Sequence, residues 1–96
     1  MHLYLIKEPN RFKVGYTSNY KKRFSSYKTH NLTAKVSGIF KIVDKKCEKA
    51  VHYELLKYNY KKCLNSKEWF EGDITNNEVQ EMVNKINEYF KTKNNL

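Results

Sequence analysis

The sequence predicts a small α+β domain of three strands and about three helices, and three observations carry that prediction. Two runs rich in β-branched and aromatic residues, HLYLIK at 2–7 and FKVGY at 12–16, flank a turn containing proline. Apolar residues recur at helical spacing from Val79 to Phe90. The 96 residues leave room for one core, and a composition that is 40% hydrophobic and 15% aromatic supplies the side chains to fill it.

The elements follow in order. In Glu8-Pro9-Asn10-Arg11, proline stands at the first central turn position, where its fixed φ helps. A turn of that length sets Lys7 opposite Phe12, Ile6 opposite Lys13, Leu5 opposite Val14 and Tyr4 opposite Gly15. Leu3, Leu5, Phe12 and Val14 then share an apolar face, while Tyr4, Ile6, Lys13 and Gly15 share the other, with Lys13 diagonal to Tyr4. Thr17, Ser18 and Asn19 are N-cap candidates for a helix from about Tyr20 to Lys28. Its stripe of Tyr20, Phe24 and Tyr27 includes Arg23, where a hydrophobe is expected, while Lys21, Lys22 and Lys28 take more solvated positions.

A third strand is expected over Ala34 to Val43, with an irregularity at Gly38. Asp44 can cap a helix from about Lys46 to Lys61 that buries Cys47, Ala50, Val51, Leu55 and Tyr58 and carries Glu48 and His52, at i and i+4, along its edge. EWFEG reads as a short extended piece whose Trp69 and Phe70 close the core. Thr75-Asn76-Asn77-Glu78 has the form of a capping box, and Val79, Met82, Val83, Ile86, Tyr89 and Phe90 make the clearest amphipathic stripe in the chain. Residues 1–96 are thus expected to form one domain, with 73–92 a C-terminal packing helix whose acidic outer face is hydrated and 93–96 a frayed tail.

Charge and cysteine usage narrow the function classes. The 19 Lys+Arg against 10 Asp+Glu give a net +9, which excludes an acidic disordered activator, and the aromatic content excludes a basic tail. Residues 1–67 hold 16 basic and 4 acidic side chains, net +12, whereas 68–96 hold 3 and 6, net −3. The basic two thirds suit a polyanion, because each lysine set against a phosphate releases counterions; a solvated surface in a Lys- and Asn-rich proteome is the other reading. No apolar run approaches the roughly 18 residues of a membrane span, and the N-terminus lacks the pattern of a signal peptide, so an intracellular protein is expected, in a bacterial or virus-infected cell, in cytoplasm or nucleus. Cys47 and Cys63, without a CxxC, predict reduced thiols rather than a disulfide framework or a zinc knuckle.

LYLI at 3–6, KVGYT at 13–17, Arg23, CEKAVHYELL at 47–56 and EWF at 68–70, in this order and spacing, resemble the GIY-YIG endonuclease superfamily, in particular its small branch of phages, bacteria and large DNA viruses. The likeness runs from about Leu3 to Gly72. It implies a small three-stranded antiparallel sheet flanked by the helices, and metal-dependent hydrolysis of DNA phosphodiesters. By the resemblance Tyr4 takes the place of the first motif's tyrosine, Gly15 the second motif's glycine, Arg23 the helix arginine and Glu48 the metal-binding acid. The sequence departs from the pattern at Leu3, where the family has glycine, and at Lys13, where it has tyrosine; Asn59 and Asn65 are candidates for its late polar residue.

The chemistry can also be argued from the residues. Hydrolysis of a phosphodiester needs an activated water, positive charge on the equatorial oxygens and help for the leaving alkoxide. Tyr4 could act as base only with a pKa well below the usual value of about 10, and Lys13 on the same face would favour the phenolate. Arg23 can grip the scissile phosphate bidentately. Glu48 offers one hard oxygen to Mg²⁺ or Mn²⁺, with water and phosphate completing the shell. Gly15, Thr17, Lys21, Lys22, His30 and His52 complete the expected substrate-binding set, His52 being open to metal ligation, phosphate contact or a structural hydrogen bond.

Each residue also has a plainer reading: Tyr4 as a strand aromatic, Lys13 as a solvated lysine, Arg23 as a snorkelling side chain, and Glu48 as a first-turn acid complementing the helix dipole. Three functions follow: a DNA endonuclease that nicks with low sequence specificity, a catalytically weak module of the same fold that binds DNA or RNA, or a protein-interaction or inhibitor domain. No organic cofactor and no membrane partner are expected, and the protein is expected as a monomer or weak dimer.

Overall fold

The computed structural model describes residues 1–19, 35–64 and 68–94. Within them the chain forms strands β1 (His2–Glu8), β2 (Arg11–Thr17) and β3 (Lys35–Lys41), helix α1 (Cys47–Lys57), strand β4 (Trp69–Glu71) and helix α2 (Asn76–Asn94). The expected helix at 20–28, with Arg23, Lys21 and Lys22, and the loop carrying His30 lie outside the described residues, as does Asn65.

The sheet is antiparallel in the order β3-β1-β2-β4. The β1–β2 register matches the expected one, with Tyr4 opposite Gly15 and Leu5 opposite Val14. The sheet gains a fourth strand where three were expected, because Trp69–Glu71 pairs with Arg11–Lys13. Three residues are too short a run to reveal a strand in the sequence; pairing with the hairpin's outer edge makes them one. Arg11 strengthens the junction, its guanidinium lying 4.1 Å from the Trp69 ring centroid.

Leu3, Leu5, Phe12 and Val14 are fully buried and pack with Val51 and Leu55 of α1 and Val79 and Val83 of α2. Phe70 stacks on Phe12 at 5.7 Å and closes this core, while Trp69 is only partly buried. Tyr4 and Ile6, which alternate onto the other face, are fully buried as well.

The irregularity expected near Gly38 is present: Leu5 pairs with Gly38 but Ile6 pairs with Val36, leaving Ser37 out of register. Asn76 answers the bulge, its Nδ2 donating to Ser37 O at 2.8 Å and its Oδ1 accepting from Ser37 Oγ at 2.7 Å. A Cβ on Gly38 would lie 3.2 Å from that Nδ2 and 2.9 Å from the Phe40 ring, so glycine admits the close approach. Three turns along α2, Asn87 fastens the other end of β3: Nδ2 donates to Lys41 O at 2.9 Å, and Oδ1 accepts from Val43 N at 3.1 Å and from the Cys47 thiol at 3.6 Å.

Helix α1 is shorter than the expected 46–61. It stops where Asn59 turns left-handed at φ 70°, with Tyr60 N donating to Leu55 O and Asn59 N to Leu56 O, the Schellman arrangement. That stop leaves Tyr58 60% exposed rather than buried. Asp44 accepts from Lys46 N at 2.8 Å and so caps the turn leading into α1 rather than the helix itself. Ahead of α2, Thr75 Oγ1 accepts from Glu78 N at 3.1 Å, the forward half of the expected capping box; the Glu78 carboxylate instead accepts from Tyr60 Oη at 2.9 Å. Tyr89, expected in the packed stripe, is 60% exposed.

Candidate functional site

Strand β2 is the element on which the candidate residues converge. Its first three residues are hydrogen-bonded to β4, but from Val14 onward its outer edge has no strand beside it among the described residues. In an antiparallel strand Val14 and Tyr16 direct their backbone groups to the same side, here outward. Helix α1 supplies the partners. His52 Nε2 lies 2.6 Å from Val14 O, and Glu48 Oε2 accepts from Tyr16 N at 2.8 Å. The i, i+4 spacing of Glu48 and His52 matches the step between these two groups, so two side chains continue the edge where β4 ends.

This arrangement fixes both residues. A carbonyl oxygen can only accept, so His52 donates its Nε2–H to Val14, which gives it the structural hydrogen bond that is one of its expected roles. The His52 ring also packs 5.4 Å from Phe70. Glu48 is half-buried with Oε2 committed to the backbone, and no described residue bonds Oε1. Lys45 lies close by, its Nζ 5.8 Å from the Tyr16 ring centroid.

Tyr4 arrives from the neighbouring strand, its phenol lying across Gly15 so tightly that a Cβ there would stand 2.4 Å from Tyr4 Cζ and Oη. Only glycine leaves room for the ring. Lys13 Nζ is 5.8 Å from the Tyr4 ring centroid, so the expected meeting of phenol, ammonium and bare backbone is present. Two features differ from an open site. Tyr4 is 0% exposed, and Lys13 forms an ion pair with Glu68 at 2.8 Å, which offsets part of the positive charge it offers the phenol. Thr17 is buried too, its hydroxyl accepting from Asn19 N at 3.1 Å in a local turn.

Tyr4, Lys13 and Gly15 therefore meet on one face of the segment 13–16, Tyr4 by strand pairing, and Glu48 reaches the open edge of the same segment through the next residue's N–H. Lys21, Lys22, Arg23 and His30 lie outside the described residues. Sequence reasoning missed the Tyr16 amide and the Val14 carbonyl. The Lys13–Glu68 ion pair follows from the β2–β4 ladder, in which Lys13 faces Trp69, the neighbour of Glu68.

The donor set can be tested against a divalent metal. Among the described residues no three His, Cys, Asp or Glu side chains cluster, so a closed protein cage is absent there. Glu48 Oε1, held by the anchored Oε2, fits an open site in which one carboxylate oxygen meets the metal and water or phosphate supplies the remaining ligands.

No helix among the described residues is long and apolar enough to cross a membrane. No curated protein and no solved structure matches the chain. A family model does match residues 1–87, that of the T5orf172 domain, a phage-associated domain related to nuclease-type folds. With nine tenths of its length covered, the chain belongs to the T5orf172 domain family.

Proposed function

We propose that the protein is a metal-dependent DNA endonuclease of GIY-YIG type that nicks with low sequence specificity. The observation that carries this reading is the Glu48 carboxylate, anchored through one oxygen by the Tyr16 amide beside the Tyr4–Gly15 contact. Membership of a family related to nuclease-type folds and the basic charge of residues 1–67 support it.

In this reading Glu48 Oε1 would hold Mg²⁺ or Mn²⁺, which when bound supplies Lewis-acid polarisation of the phosphate and a more acidic water. Tyr4, ionised beforehand as a phenolate that Lys13 stabilises, takes a proton from the attacking water through Oη and becomes the phenol, while Arg23 grips the phosphate oxygens. Because Tyr4 is fully buried, water and substrate must gain access to Oη before the step. The Tyr16 amide keeps Glu48 from rotating, so its free oxygen is oriented before substrate arrives.

A second reading is a nucleic-acid-binding module without efficient catalysis. The burial of Tyr4 and the Lys13–Glu68 ion pair favour it, since both work against a reactive phenol. Nicking of supercoiled plasmid separates the two. The nuclease reading expects nicking with Mg²⁺ or Mn²⁺, abolished by EDTA and by Glu48→Ala and strongly reduced in Tyr4→Phe and Arg23→Ala. A folded protein that binds plasmid, single strands and branched DNA but cleaves none of them with either metal would leave the binding reading.

A further inference from the structure

Away from that site, helices α1 and α2 carry the same short pattern: Lys49, Tyr53 and Lys57 on α1, and Lys85, Tyr89 and Lys93 on α2. Spacing of i, i+4 and i+8 sets each triplet along one side of its helix, with successive residues about 6 Å apart along the axis. The two helices pack together, and a groove of about 580 Å³ between them is walled by both tyrosines with Ala50, Ile86 and Phe90 behind them.

The tyrosines do not serve the core: Tyr53 is 66% exposed and Tyr89 60%. Each has a lysine near its ring, Lys57 Nζ at 6.0 Å from the Tyr53 centroid and Lys93 Nζ at 5.9 Å from that of Tyr89. Glu54 in the groove wall lies 4.0 Å from Lys57 and 3.8 Å from Lys85, so its charge is offset.

We propose that this groove is a second nucleic-acid contact, one that takes unpaired bases of a single strand. Exposed aromatic rings flanked by ammonium groups are what a single strand recognises: bases stack on the rings while the lysines meet phosphates. Duplex bases are stacked on one another and present no faces to the tyrosines. An acidic peptide would satisfy the lysines but leave two aromatic faces without stacking partners, and a second copy of the chain would set lysines against lysines. The C-terminal helix thereby gains a recognition role although residues 68–96 are net acidic.

The inference shares with the proposed function only the class of partner, and its test runs in EDTA, so its failure is distinct from failure of the nuclease reading. Fluorescence anisotropy compares a labelled thymidine oligonucleotide with a duplex of equal length. The single strand is expected to bind more tightly, and Tyr53→Ala and Tyr89→Ala each to weaken it about tenfold while sparing duplex affinity and the melting curve. Tyr53→Phe and Tyr89→Phe keep wild-type affinity, because the ring face remains. Lys49→Gln and Lys93→Gln each flatten the salt dependence of log K by about 0.7 for a lost phosphate contact. The proposal is overturned if the single strand does not bind, if the alanine variants bind it as wild type does, or if sedimentation shows a dimer that Tyr89→Ala dissociates.

Discussion

Adding one methyl group at Gly15 tests the packing on which the candidate site depends. A Cβ there would stand 2.4 Å from Cζ and Oη of Tyr4 and 2.9 Å from Cε1, against a comfortable carbon separation of about 3.5–4.0 Å. The ring cannot swing into solvent, because Tyr4 is 0% exposed and its strand is paired on both sides, with Gly15 and with Ile39. Gly15→Ala should therefore cost near the top of the overpacking range, about 3 kcal/mol. Tyr4→Leu removes the three atoms in conflict. In that background the same change should be neutral or stabilise by up to about 1 kcal/mol, because alanine loses less chain entropy than glycine in a strand. Urea unfolding of the two single variants and the double variant, followed by circular dichroism, measures the coupling, expected at about 3 kcal/mol. A cost for Gly15→Ala that is the same in both backgrounds, or below about 1 kcal/mol in the wild type, would refute the contact as the reason for glycine.

Three further outcomes follow from the described contacts. Asn87→Ala removes three hydrogen bonds to the β3–α1 connection and should destabilise the fold by about 2–3 kcal/mol in the same urea experiment, whereas an exposed neighbour such as Glu88→Ala should change it by less than about 0.5 kcal/mol. Burial, then the hydrogen bond and negative charge of Glu78, raise the Tyr60 phenol above its ordinary 10.0. The folded state thus holds that proton more tightly than the unfolded chain, and stability is lost as pH rises from about 10 through the raised value; Tyr60→Phe should flatten this loss, and an unchanged slope would count against the contact. Burial likewise pushes the Cys47 thiol up, so a thiol reagent should modify half-exposed Cys63 first and reach Cys47 only on unfolding.

Much of the fold is legible in the sequence wherever a local pattern decides it. The proline turn and the two-residue alternation are enough to set the β1–β2 register, and the stripe from Val79 to Ile86 is enough to place α2 on the core. Long-range choices are harder to read. Nothing local distinguishes WFE as a strand, since its pairing partners lie 58 residues earlier, Phe70 opposite Phe12. Tyr58 and Tyr89 have helical spacing but face solvent, because α1 ends at Asn59 and because an aromatic at the margin of a stripe can serve a surface as well as a core. The site shows the same division. The shared face of Tyr4, Lys13 and Gly15 follows from strand alternation alone. The anchoring of Glu48 and His52 on the open edge of β2 requires knowing where α1 docks, which their i, i+4 spacing suggests but cannot place.

Glu48→Gln provides the most direct test of the central claim that Glu48 acts through one oxygen while the Tyr16 amide holds the other. Glutamine keeps an oxygen to accept from Tyr16 N–H and nearly the same shape, but it removes the negative charge a divalent metal requires. The measurement is single-turnover nicking of supercoiled plasmid in Mn²⁺ by wild type and Glu48→Gln, with their melting curves compared alongside. The account predicts a folded variant of near wild-type stability whose nicking falls by at least about a hundredfold. Nicking at the wild-type rate by Glu48→Gln would contradict it and leave Glu48 as a structural clip on the edge of β2.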